Sequence, residues 1–189
     1  MKTILQKESS VLREIAKEVP IKDISSSKIR KIIHEMKEAM DSQDDGVAIA
    51  APQIGYSLRI FIVSKKVESI VRPSHGEIVD ARLHNEKIPT EKLVFINPVI
   101  KKISKEKREL EEGCLSVRYL YGHVSRGKKA TVIAYDENGK KFERGGTGLL
   151  AQIFQHEVDH LNGVLFIDKA KYIEEVLPGE THSKIHKQK

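Results

Sequence analysis

The chain has 189 residues, 39% hydrophobic and 32% charged, with a net charge of +6 and a pI near 9.2. That length suits one domain with a real core, and no apolar run approaches the roughly 20 residues of a membrane span. The single cysteine, Cys114, excludes an internal disulfide and fits a reducing compartment. The first residues, Met1 to Glu8, lack the apolar core of a secretory signal. The expected location is the cytoplasm, or an organelle of bacterial type. Basic charge suits an anionic partner and allows a weak ribosome contact, although simple solubility explains it as readily. There is no nucleic-acid motif: Trp is absent, and the five Tyr and five Phe are not interleaved with basic residues as a stacking platform requires.

In chain order, Ser9 and Ser10 precede Val11, Leu12, Ile15, Ala16 and Val19, an apolar face at helical spacing that Pro20 ends. Ser25 to Ser27 cap a longer helix, with Ile29, Ile32, Ile33, Met36 and Met40 as its inward stripe. The two methionines lie on that stripe and read as core. Gly46 to Gly55 is small and uncharged, a connection whose backbone can approach a ligand closely or simply pack tightly. Arg59–Val63 reads as a buried strand. Residues 68–92 form a long polar loop, with a short strand expected at Glu77–Val79. Leu93–Asn97 and Ala130–Tyr135 are strands, and Asp136–Gly139 turns the latter into a hairpin with Lys140–Arg144. Thr147 can cap a final helix from Gly148 to Leu161, which Gly163 stops. Residues 1–170 make one catalytic domain. Residues 171–189 form a polar, basic tail, expected to be partly disordered. The fold class is α+β: mixed, mainly antiparallel sheets packed around the C-terminal helix, with two N-terminal helices.

The final helix carries His156-Glu157-Val158-Asp159-His160, a His-Glu-x-x-His pattern. Histidines four residues apart share one helix face and can hold one metal ion, while the glutamate between them can act as a general base. Leu149 and Ile153 extend the histidine stripe, which places the metal at the edge of an apolar pocket. A catalytic site of this kind needs a third protein ligand and an open position. Cys114 is a candidate third ligand. A thiolate with two imidazoles suits Zn(II), Fe(II), Co(II) or Ni(II) and disfavours Mg(II) and Ca(II). An ion pair between Asp159 and Arg126 is expected behind the site.

Three motifs in order carry a family resemblance. Gly46 to Gln53, Glu112-Gly113-Cys114-Leu115-Ser116 and Gln155 to His160 resemble the motifs of the peptide deformylases. The resemblance implies that Cys114, His156 and His160 hold one divalent transition metal, usually Fe(II) with Zn(II) and Ni(II) as alternatives. It implies that Glu157 is the general acid/base, and that Gln53 and the backbone N–H of Leu115 form the oxyanion hole. The implied reaction removes the N-formyl group from the initiator methionine of nascent polypeptides. Water on the metal attacks the formyl carbon, Glu157 takes its proton, and formate leaves. Gly46, Val47, Ala48, Leu110, Glu112, Gly113, Leu149 and Ile153 are the candidate substrate-binding residues, with Val47, Leu110, Leu149 and Ile153 around the methionine side chain. Ala48 stands where the family usually has a second glycine. After the second motif many members carry Pro-Gly or similar residues, and often an arginine further on; here Arg118 and Tyr121 occupy that region.

Two other readings use the same residues. A zinc endopeptidase would need a downstream ligand, from Glu174, Glu175, His182 or His186, and would leave Glu-Gly-Cys-Leu-Ser without a task. A basic ribosome- or RNA-binding module would have lost activity, which the intact metal-site side chains argue against.

Overall fold

The structure, a computed structural model, describes residues 2–67 and 93–178. A five-stranded sheet is built in the order β1-β2-β3-β6-β7, from Ala48–Ala50, Ile60–Val63, Leu93–Ile103, Lys129–Tyr135 and Lys141–Thr147. A second, three-stranded sheet has the order β4-β5-β8, from Lys107–Cys114, Val117–Gly127 and Lys171–Glu175. These strands all pair antiparallel with their neighbours.

At β1 and β2 the larger sheet is buried on both faces, which explains why β2 reads Ile-Phe-Ile-Val without alternation. Successive strand residues point to opposite faces. Ile60 and Ile62 join a core with Ile29, Ile33, Met36 and Met40 of helix α1 (Ser27–Asp41). Phe61 and Val63 join a separate core with Leu150, Ile153, Phe154 and Val158 of helix α2 (Gly148–Leu161). Phe61 stacks on Phe95 with ring centroids 4.4 Å apart, and Phe154 meets Phe95 edge-on at 5.3 Å. These rings fasten α2 to the sheet centre. Ser26 caps α1 by accepting from the Ile29 N–H at 3.3 Å.

One expected N-terminal helix is absent. Only Ser10–Arg13 forms a short 3-10 turn, and the chain beyond it is extended. The Ala16 N–H donates to Leu161 O at 3.0 Å, the Lys17 N–H to Ser57 O at 3.0 Å, and the Arg59 N–H to Lys17 O at 2.8 Å. Backbone groups paired with distant segments cannot also close helical turns. Leu12, Ala16 and Val19 are buried as the spacing predicts, but Ile15 is 74% exposed, where a helix stripe would have hidden it. At the start of the segment taken as the tail, residues 171–175 form β8 on the edge of the small sheet, with Leu120 opposite Glu175 and His123 opposite Lys171. The strand expected at Glu77–Val79 and the loop around it lie outside the described residues, as do residues 179–189.

Candidate metal and active site

Three elements converge on one cavity of about 300 Å³ between the two sheets. The first is the 3-10 turn Ala51–Ile54, entered through Pro52 and ended by Gly55. It buries Gln53, which is 2% exposed. The Ala50 N–H donates to Gln53 Oε1 at 2.8 Å, which fixes the amide's orientation and turns its nitrogen inward. Nε2 then donates to Ser116 Oγ at 3.1 Å and lies 3.5 Å from Cys114 Sγ.

The second element is the reversal between β4 and β5. A bulge after Glu112 brings Cys114 opposite Val117, and the Ser116 N–H points at Cys114 Sγ at 3.4 Å. Bulges re-aim side chains in this way. Leu115 is buried and lines the cavity, and its carbonyl accepts from Gln6 Nε2 at 3.1 Å.

The third element is α2. The four-residue spacing stacks His156 and His160 with ring centroids 4.9 Å apart. Ligand atoms of Cys114, His156 and His160 all lie within 4.8 Å of one another, and Sγ is 3.2 Å from His160 Nε2. One thiol and two imidazoles at this separation match the donor set of a borderline-soft divalent metal. Glu157 is buried beside them, and its Oε2 has no hydrogen-bond partner among the described residues. A buried carboxylate oxygen without a partner fits a place where water or substrate is bound. Burial pushes the Glu157 carboxyl up to about 7, against the opposing pull of His156.

Behind the cluster runs a chain of charges. His156 Nδ1–H donates to Glu112 Oε2 at 3.0 Å, which leaves Nε2 free to act as a ligand. Arg126 clasps the same carboxylate and also donates to Asp159 at 2.6 Å, the ion pair expected from the sequence. Lys169 closes the chain on Asp159 at 2.6 Å. Burial opposes ionisation of Glu112, but hydrogen bonds from Arg126 and His156 outweigh it and hold the carboxyl at about 2. His160 is pulled well below its ordinary value by burial, so its ring is neutral and fit to ligate. For His156, burial acts downward, yet hydrogen bonds to Cys114 and Glu112 lift it well above the usual value.

Most candidate substrate residues line the cavity: Val47, Ala48, Glu112, Gly113, Leu149 and Ile153. Two lie outside it. Gly46 sits behind the wall, its N–H donating to Gln43 O at 3.1 Å. Leu110 stands opposite Val124 on β4, two residues farther from the bulge than Glu112. At roughly 3.3 Å of rise per residue that distance carries it past the site. Glu112 reaches the cavity, but its carboxylate is engaged by Arg126 and His156 rather than offered to a ligand. Sequence reasoning missed Ser116, the buried partner of Gln53. It also missed Gln152, which donates to Glu111 O at 2.8 Å. Gln152 is four residues before His156 on the same helix face, a spacing that could have pointed to it.

A helix-borne His-Glu-x-x-His with a nearby thiol and a buried carboxylate resembles the sites of metal-assisted hydrolases. The family model for polypeptide deformylase matches residues 1–176, and the chain belongs to that family. Peptide deformylase 2 of Clostridium acetobutylicum is 36% identical over 168 residues, covering 89% of this chain and 94% of that protein. The chloroplastic/mitochondrial peptide deformylase 1A of Arabidopsis thaliana is 41% identical over 84% of this chain. This chain spans 57% and 59% of the lengths of the Arabidopsis thaliana and Solanum lycopersicum relatives. Among solved structures, the Legionella pneumophila peptide deformylase superposes with a TM-score of 0.72 at 38% identity, over 91% of this chain and 87% of that one. The Thermotoga maritima peptide deformylase gives a TM-score of 0.72 at 33% identity, over 90% and 98%. No helix among the described residues is long and apolar enough to cross a membrane.

Proposed function

We propose that the chain removes the N-formyl group from the initiator methionine of nascent polypeptides, in a reaction that depends on one divalent transition metal, Fe(II) first among Zn(II), Ni(II) and Co(II). The observation that carries this reading is the convergence of Cys114, His156 and His160 beside the buried, unpartnered Glu157 oxygen. Those three side chains would hold the metal. When bound there, it supplies Lewis acidity that polarises the formyl carbonyl and acidifies water.

The chain's own residues supply the rest. Glu157, poised at about 7, takes a proton from the attacking water near neutral pH and returns it to the leaving amine. Gln53 Nε2, aimed by the Ala50 N–H, donates to the oxygen on which charge develops, and the Leu115 N–H is its companion donor. Val47, Leu149 and Ile153 form the apolar slot for the methionine side chain, where an unbranched thioether packs well. The basic surface allows a weak ribosome contact, where such substrates emerge.

The test is a formate assay on protein prepared without oxygen, with elemental analysis of the same sample. Formyl-Met-Ala-Ser should yield one formate and one free amine per turnover. Glu157→Ala should keep its metal and lose activity by about 10²–10⁴-fold. Cleavage of an internal peptide bond without formate would replace this reading with that of an endopeptidase.

A further inference from the structure

The N-terminal segment bridges two elements of the site. The Leu5 N–H donates to Gln53 O at 2.8 Å. The next side chain, Gln6, crosses to the β4–β5 hairpin. Its Nε2 donates to Leu115 O at 3.1 Å, and its Oε1 accepts from the Arg118 N–H at 3.4 Å. Two consecutive residues thus join the 3-10 turn Ala51–Ile54 to the hairpin that carries Cys114 and Leu115. Those elements bear the two donors proposed for the developing oxyanion, the Gln53 amide and the Leu115 N–H.

The Leu115–Ser116 peptide plane is held at both edges. Gln6 engages its carbonyl, and its N–H, that of Ser116, points at Cys114 Sγ at 3.4 Å. The Ser116 side chain also accepts from Gln53 Nε2 at 3.1 Å. A backbone has only two soft dihedrals per residue, so fixing this plane beside Cys114 also fixes where the Leu115 N–H points. Packing gives no other reason for a glutamine here. Gln6 is exposed and belongs to none of the three core clusters. Its remaining polar contact, to Ile4 O at 3.4 Å, lies within its own segment. Leu5 packs against the cluster of Leu12, Val117 and Phe166, which anchors the segment without Gln6.

We propose that Gln6 is a positioning residue for the reaction: its amide aims the Leu115 N–H and sets the hairpin at a fixed distance from Gln53. This rests on the deformylase reading above. Gln6 does not line the cavity, so it acts through the hairpin and not by contact with substrate. Charge builds on the oxyanion only in the transition state, so misaligned donors lower kcat and leave substrate binding little changed.

The experiment measures kcat and KM for formyl-Met-Ala-Ser in wild type, Gln6→Met and Gln6→Glu, with a thermal melt, elemental analysis and hydrogen exchange of each. Gln6→Met keeps the length of the side chain and removes both hydrogen bonds. It should lower kcat about ten-fold, less than the ~10²–10³ of losing a donor outright. KM should stay within about two-fold and Tm within about 4 degrees, with metal content unchanged. Exchange should speed up in residues 115–118 alone. Gln6→Glu keeps the acceptor for Arg118 but sets an anion against the Leu115 carbonyl, so it should lose at least as much. An unchanged kcat in Gln6→Met, or a loss confined to KM, overturns the positioning role and leaves the deformylase reading standing. A kcat loss that comes with lost metal, or with a Tm lower by more than about 4 degrees, overturns it as well. Absence of formate with wild type overturns the deformylase reading and the positioning role together.

Discussion

Arg126 grips Glu112 with two parallel hydrogen bonds, Nε to Oε1 at 2.7 Å and Nη2 to Oε2 at 2.9 Å, and both side chains are almost wholly buried. The carboxylate so held is the one that accepts from His156 Nδ1. One side of this bidentate pair therefore faces the candidate ligands. The other leads through Asp159 to Lys169 at the surface.

Removing one partner should cost far more than the pair is worth. Arg126→Met leaves the Glu112 carboxylate buried without its main counter-charge, a situation that typically costs about 3–5 kcal/mol. Urea unfolding should register that loss. Glu112→Gln keeps the shape but weakens the hold on His156, and metal affinity should fall by about 10–100-fold. Competition with a chromophoric chelator measures this, and an unchanged affinity would separate Glu112 from the metal site.

The same carboxylate sets an acid limit. Its folded value, about 2, lies below the ordinary 4.5. The stability it contributes is therefore fully present above about 4.5 and is lost as pH falls through about 2. At ~1.36 kcal/mol per unit the whole effect is at most about 3–4 kcal/mol. Chelator-treated protein, in which ligand protonation against metal plays no part, should lose stability between pH 4.5 and 2 more steeply than Glu112→Gln does. Parallel curves for the two proteins would show that Arg126 does not hold this carboxyl down.

Cys114→Ser exchanges a soft thiolate for a hydroxyl that stays protonated at neutral pH. With two imidazoles alone, the site should lose most of its bound metal. Elemental analysis after dialysis reads this directly. Circular dichroism should show the fold retained, since Cys114 lies at the rim of a small core cluster rather than in its centre.

Gly163 ends α2 with φ at +74°, and an added Cβ would lie 2.5 Å from Arg13 O. Both the left-handed backbone and the clash with another backbone segment oppose a side chain. Gly163→Ala should destabilise by about 2 kcal/mol or more. A Tm within a degree of wild type would show that the N-terminal segment can swing away from the helix end at little cost.

Much of this molecule was legible in its residue order because its strongest signals are local. The stripe Ile29, Ile32, Ile33, Met36 and Met40 is buried as a helix period requires, and Asp136 to Gly139 turns β6 into β7. The placement of His156, Glu157 and His160 on one helix follows from a 3.6-residue turn and needs no other part of the chain. The extended course of Ala16 and Lys17 was not legible, because their backbone partners, Leu161, Ser57 and Arg59, lie far away in sequence. Propensity at helical spacing loses to hydrogen bonds that only the folded chain can offer.

The sequence alone determined the helix that carries His-Glu-x-x-His and the supply of a single thiol as a candidate third ligand. Both are matters of residue type and spacing along one segment. Only the tertiary structure decided that the β4–β5 bulge sets Cys114 beside His160, and that Arg126 rather than a substrate engages Glu112. Each of those depends on strand register and on contacts between remote segments, which no local pattern encodes.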